Sequence, residues 1–152
     1  MLTYAQAIAK YNGKRVDVDG FPAWQPYQCY DWATKYMQVT RGVSGNPICR
    51  PSGGVKDLYL NFANIKTTTG KYLKSYYNRV ANQPWNAKQV PPRGAIIIWS
   101  GQQPGSGGFG HIGVVDSAWG SGFKSYDQNW GGTYVHAVNH NYSYILGWLV
   151  KK

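Results

Sequence analysis

The stretch HIGVVDSAWGSGFKSYDQNW, residues 111–130, decides the architecture. It reads as two strands, His111–Ala118 and Gly122–Trp130, divided by a glycine-bearing turn. Working outward, Ala95–Ser100, Thr133–Val138 and Tyr144–Val150 read as further strands, and Gly101–Gly110 is too polar and glycine-rich to be anything but loop. Upstream the period changes. Thr3 and Gln6 fit a capping box, Tyr4, Ile8 and Tyr11 mark one helical face, and Asn12-Gly13 stops it. A second helix is expected over about Cys29–Val39, with Trp32, Ala33, Tyr36 and Met37 as its apolar side and Gly42 as the stop. A third, Val55–Phe62, carries Leu58 and Phe62. Helices first and strands after predict an α+β domain, N-terminal helices packed on an antiparallel sheet. No repeat or linker divides residues 1–152, so one domain is expected.

Composition narrows the chemistry. The chain has 152 residues, 43% of them apolar and only 14% charged, which excludes charge-driven disorder. Sixteen Lys and Arg face six acids, a net charge of +10, and all six acids are aspartates: 17, 19, 31, 57, 116 and 127. With no glutamate, a helical His-Glu-x-x-His metallopeptidase motif cannot be written, and a glycosidase would need an aspartate-only pair. No apolar run approaches the roughly 20 residues of a membrane span. Met1–Val16 is amphipathic rather than secretory in pattern, so a soluble chain without an export address is expected. Cys29 and Cys49 are too few for a disulfide framework, although their spacing permits one bridge. An isoelectric point of 9.6 predicts an anionic partner: nucleic acid, membrane surface or a wall polymer. Lysines spread along the chain argue against nucleic acid, which calls for a basic cluster with aromatics.

Three places can carry chemistry. Cys29 falls where loop becomes helix, and unpaired N–H groups with a positive dipole there favour a thiolate. His111 opens a buried strand after a glycine-rich loop, where its imidazole can reach a neighbouring element. Asp127 and Asn129, two apart on a strand, share one face, and either can fix the tautomer of a facing imidazole.

The chain resembles the CHAP family of papain-like cysteine peptidoglycan hydrolases, found in phage endolysins and bacterial autolysins. The matching pieces are Asp17-Val-Asp-Gly-Phe, Tyr27-Gln-Cys-Tyr-Asp-Trp-Ala, Gly54-Val-Lys-Asp, Pro92-Arg-Gly-Ala-Ile, Gly110-His-Ile-Gly-Val-Val and Tyr126-Asp-Gln-Asn-Trp-Gly-Gly. They span residues 17–132 in the family's order. The resemblance implies Cys29 as nucleophile, His111 as its base, and Asp127 or Asn129 as the group that orients the imidazole. It also implies the Cys29 backbone N–H, with a contribution from Gln28, as oxyanion donors. Many members have glutamate where this chain has Asp127, and Gly-Asp where it has Gly94-Ala95. The implied substrate is bacterial peptidoglycan, cut either in the stem peptide or cross-bridge (a D-alanyl-glycyl endopeptidase, for example) or between N-acetylmuramic acid and L-alanine. A monomer waiting in the host cytoplasm until the membrane is breached is the matching expectation, a secreted protein the alternative. A chain of this length has no room for the separate wall-binding domain that many endolysins carry; either the positive charge, which suits anionic teichoic acids, substitutes for it, or part of the natural protein lies outside this sequence.

Asp17-x-Asp19-Gly20-Phe21 also looks like the start of an oxygen-rich calcium loop. In related endolysins an equivalent segment binds calcium together with the aspartate two past the cysteine, here Asp31, and the Phe21 carbonyl would be a further ligand. The segment up to Cys29 is about three residues longer here and includes Pro22 and Pro26, and an Asx-turn without metal is the alternative. Two rival functions remain. A zinc amidase would use His111, Asp116, His136 and His140; a non-catalytic module would stack sugars or bases on Trp85, Trp99, Trp119, Trp130 and Trp148.

Overall fold

Thr3 caps the first helix, α1 (Tyr4–Tyr11), as its spacing to Gln6 requires. The Thr3 hydroxyl accepts the Gln6 N–H at 3.2 Å, and the Gln6 side chain accepts the Thr3 N–H at 2.9 Å. The computed structural model describes residues 1–83, 86 and 89–152, and Trp85 lies outside them. Helix α2 (Cys29–Arg41) runs two residues beyond the expected Val39 and ends on Gly42, whose φ of 71° is the left-handed cap that glycine adopts without cost. Trp32, Ala33, Tyr36 and Met37 are all buried on one side of α2. The third helix, α3 (Asp57–Leu60), is shorter than expected, with a separate 3₁₀ turn at Phe62–Asn64 and another at Leu73–Ser75.

Six strands form one antiparallel sheet: β1 (Tyr77–Ala81), β2 (Ile96–Trp99), β3 (Ile112–Trp119), β4 (Gly122–Asp127), β5 (His136–His140) and β6 (Ile145–Lys151), in the order β1-β6-β2-β3-β4-β5. The architecture is α+β, as expected. In β2 the side chains alternate: Ile96 and Ile98 join the core under the helices, while Ile97 and Trp99 join a second cluster with Phe123, Ile145 and Trp148. Both faces are covered, which explains a run of four buried residues.

Three expectations need correction. Strand β4 stops at Asp127, not Trp130, because Gln128 turns inward and Asn129 takes a left-handed φ of 63°. Strand β5 begins at His136, three residues later than Thr133, once the turn after Trp130 has closed. Strand β1 was not foreseen. As an edge strand in which only Tyr77 is buried and Val80 half-buried, it lacks the apolar run that marked the others.

The tryptophans divide by environment. Trp99 and Trp148 are core residues, Trp119 is exposed at the β3–β4 turn, and Trp130 covers the histidines described below. These four described tryptophans do not form one stacking surface.

Candidate active site

Two ties bring the start of α2 to the end of β4. The Trp32 indole N–H donates to the Tyr126 carbonyl at 2.8 Å. The buried Gln128 amide donates to the carbonyls of Gln28 (2.9 Å) and Val16 (2.8 Å) and accepts the Val16 N–H at 2.7 Å. Gln28, in extended conformation, precedes the helix, and its N–H donates to the Asp31 carboxylate at 2.9 Å. Cys29 is therefore the first helical residue, and no helical carbonyl can accept its N–H.

The imidazole arrives from the sheet. Gly110, at φ 79°, turns the loop into β3; a Cβ there would strike the Trp99 carbonyl. His111 follows, buried, with Trp99 at 4.9 Å and Trp130 at 4.8 Å between ring centroids. The Cys29 thiol lies beside the ring, close enough to govern its proton affinity. Nε2 of His111 stands 3.6 Å from Oδ1 of Asp127, longer than a hydrogen bond, and has no hydrogen-bond partner. The buried Asp127 accepts the Ser125 hydroxyl on Oδ1 at 2.9 Å and the Nε2–H of His140 on Oδ2 at 2.6 Å. Gly113 makes room for this carboxylate: a Cβ at 113 would land on Asp127 Oδ1.

Charge outweighs burial at this centre. Burial alone would lower the His111 pKa, but the charge at Cys29 and then the Asp127 carboxylate raise it to about 10. Burial opposes ionisation of Asp127, yet the neighbouring His111 and His140 imidazoles hold it below the usual carboxylate range.

The structure thus brings Cys29, His111 and Asp127 together. Asn129 sits apart at the rim, donating to the Gln28 side-chain oxygen at 2.9 Å and accepting from Gln25 at 3.4 Å. Gln28 in turn donates its amide to the Gln25 carbonyl at 2.7 Å. Gln28, Cys29, His111 and Asn129 line a groove of about 710 Å³ with Phe21, Tyr30, Ile48, Phe109 and Trp130, and Asp127 lies buried behind it. Among the described residues neither Lys nor Arg lines it, so their positive charge lies outside. Cys49 opens onto the same groove, but both thiols are free, and burial pushes the Cys49 thiol up to about 12.

Asp17, Asp19 and Asp31 place one carboxylate oxygen each within 4.8 Å of one another. Asp17 accepts the N–H groups of Asp19 and Gly20, Asp19 that of Phe21, and Asp31 those of Val18 and Gln28. Burial, then the charges of Asp19 and Asp17, raise Asp31 to about 7. Three converging carboxylates without a countercharge suit a hard divalent cation, and the donor set fits calcium. The zinc set does not assemble. Asp116 accepts the Tyr4 hydroxyl at 2.8 Å, His136 contacts the Tyr134 carbonyl at 2.9 Å, and His136 and His140 stand four positions apart at opposite ends of one strand.

Sequence reasoning missed Gln128 and Ser125, and weighed His140 only as a metal ligand. Ser125, two before Asp127 on one strand face, was the available signal for the first contact.

No protein-family model matches the chain, and no curated protein matches its sequence. Solved structures do. The endolysin LysIME-EF1 superposes with a TM-score of 0.66 at 23% identity, over 99% of this chain and 64% of that one. The structure of Ly7917 with the hydrolysing product of MDP gives 0.63 at 15%, over 98% and 63%. PlyC gives 0.58 at 20%, over 96% and 34%. This chain therefore spans less than two thirds of each, and what it shares with them is the fold.

Proposed function

We propose that this protein is a cysteine-dependent peptidoglycan hydrolase of the CHAP kind. The observation that carries the reading is a row of three groups: a thiol at a helix start and an imidazole beside it, both lining one groove, with a buried carboxylate behind the imidazole. The fold shared with endolysins and the six motifs in family order support it.

Sγ of Cys29 attacks an amide carbonyl of the wall peptide. The developing oxyanion meets the Cys29 N–H at the helix start, with the Gln28 amide as a second donor. His111 gives its proton to the departing amine, leaving a thioester. Water attacks the thioester, His111 takes its proton, and the acid product leaves with the thiol restored. Asp127 keeps the imidazole oriented and stabilises its charge throughout. Asp17, Asp19, Asp31 and the Phe21 carbonyl would hold calcium, which would neutralise the acidic cluster beside the start of α2. The positive exterior draws the protein to anionic wall polymers such as teichoic acids, so steering weakens with salt. The protein acts as a monomer that reaches the wall once the membrane is breached.

Alanine at position 29 is expected to abolish release of wall fragments with unchanged circular dichroism. Lysis by a folded Cys29→Ala protein removes the proposal. Mass spectrometry of the released muropeptides identifies the bond: a new amino terminus on a fragment whose lactyl amide is intact marks an endopeptidase, and a free lactyl carboxyl with a matching N-terminal L-alanine marks an amidase. His136→Ala is expected to leave lysis intact, which separates this reading from a zinc enzyme.

A further inference from the structure

The mechanism above uses one face of Asp127 and leaves the other unexplained. His140 ends β5 with its side chain only 5% exposed. Its ring packs against Trp99 (4.8 Å), Trp130 (4.8 Å) and Phe123 (5.1 Å), none of which can accept an N–H as well as a carboxylate does. Nε2 instead points at Asp127 Oδ2, at a short 2.6 Å. Because an ionised carboxylate only accepts, Nε2 carries the proton.

Asp127 needs such a partner. It has one methylene fewer than a glutamate, and its Oδ1 reaches only to 3.6 Å from His111 Nε2. A carboxylate that makes no short bond to its imidazole can be aimed only by its other contacts. Those are Ser125 on Oδ1 and His140 on Oδ2. Trp99 and Trp130 touch both imidazoles, so the rings at 111 and 140 lie in one aromatic box with the carboxylate between them.

We propose that His140 is a positioning residue for the reaction: its Nε2–H clamps Oδ2 of Asp127 and so keeps Oδ1 aimed at the His111 ring. The kinetic part of this rests on the proposed hydrolase function; the structural part does not. A merely packing role predicts that any ring of similar shape will serve, whereas positioning requires the N–H.

His140→Phe keeps the ring and removes the donor; His140→Gln keeps a donor at similar reach. Removal of a group that orients a catalytic one typically costs about 10–100-fold. His140→Phe is therefore expected to lower kcat on purified wall about 10–100-fold with little change in KM, and His140→Gln to recover most of that loss. The substrate-free readout is the His111 imidazole followed by ¹⁵N NMR. Its midpoint is expected to fall from about 10 in His140→Phe and to be restored in His140→Gln. An unmoved or raised midpoint in a folded His140→Phe protein, or equal defects in both variants, overturns the proposal. Should neither variant fold, the unsubstituted protein still decides: its ¹⁵N shifts must report an Nε2-protonated His140, and an Nδ1-protonated ring refutes the clamp. If the unsubstituted protein releases nothing from wall, the hydrolase reading fails while the NMR result still judges His140.

Discussion

Two carboxylate clusters lie on either side of the start of α2, and they are built in opposite ways. The Asp17–Asp19–Asp31 loop is held by backbone N–H groups from its own neighbourhood, with two of its three acids exposed. The Asp127 centre is buried and is held by side chains that the sheet delivers from three strands. The first cluster is local and solvated; the second is long-range and dry. Charge is therefore worth far more in the second, where few water dipoles compete. Substitutions should separate the two, with large effects on the buried side and small ones on the exposed side.

The largest effect belongs to Asp127→Asn. An amide has one accepting oxygen and no charge, so it cannot serve Ser125, His111 and His140 together, and one N–H is forced to face another. Loss of roughly 10²–10⁴ in kcat is expected, the range of a disabled acid–base apparatus. Steady-state turnover on wall, with circular dichroism as control, checks it. A loss below tenfold would place Asp127 among the merely structural acids.

The same contrast appears with pH. His111 is held above the ordinary imidazole value of 6.5, at about 10, with the Cys29 charge as the chief raising cause against burial. A raised pKa in the folded state means stabilisation that is complete below 6.5 and is lost as pH climbs towards 10. Urea midpoints across that window should fall with pH in the unsubstituted protein. In Cys29→Ala the leading cause is gone, and the fall should shift to lower pH. Identical curves would mean that the thiol and the ring are not coupled.

Gly113→Ala tests the packing of the buried cluster without touching its charges. The new methyl would occupy the place of Asp127 Oδ1. The carboxylate must move or the strands must part, and overpacking of this kind costs about 1–3 kcal/mol. A Tm lowered by roughly 2–12 °C is expected, since 1 kcal/mol shifts a domain of this size by about 2–4 °C. Turnover should fall as well, because Oδ1 is the oxygen that faces His111.

How much of this was readable beforehand follows the same division. The capping box at Thr3, the stop at Gly42 and the Asp-x-Asp-Gly loop are patterns within a few residues, and the chain displays them directly. The sheet was legible from its apolar runs, except β1, whose burial is too uneven to leave one. Cys29 and His111 announced themselves by residue type and position. The placement of Asp127 beside His111, with Asn129 apart from it, did not, since both fall on one expected strand; only the left-handed turn at Asn129 sends them apart. Gln128 and His140 were illegible because their partners lie 100 and 13 residues away, across elements whose register no local pattern specifies.

The smallest effect is expected at Asp17. Asn at this position keeps an oxygen to accept the Asp19 and Gly20 N–H groups, so the turn survives, and it removes one of the like charges facing Asp31. Without divalent cations the Tm should change by no more than about 1–2 °C, as surface substitutions seldom exceed ±0.5 kcal/mol. The difference emerges on adding calcium. Binding to the folded state raises Tm by mass action, so calcium should stabilise the unsubstituted protein and leave Asp17→Asn nearly unmoved. Equal stabilisation of both would place the cation elsewhere. The His111 midpoint should stay put in either case, because the exposed cluster reaches the buried one only through the backbone at Gln28 and the screened charges of a solvated loop.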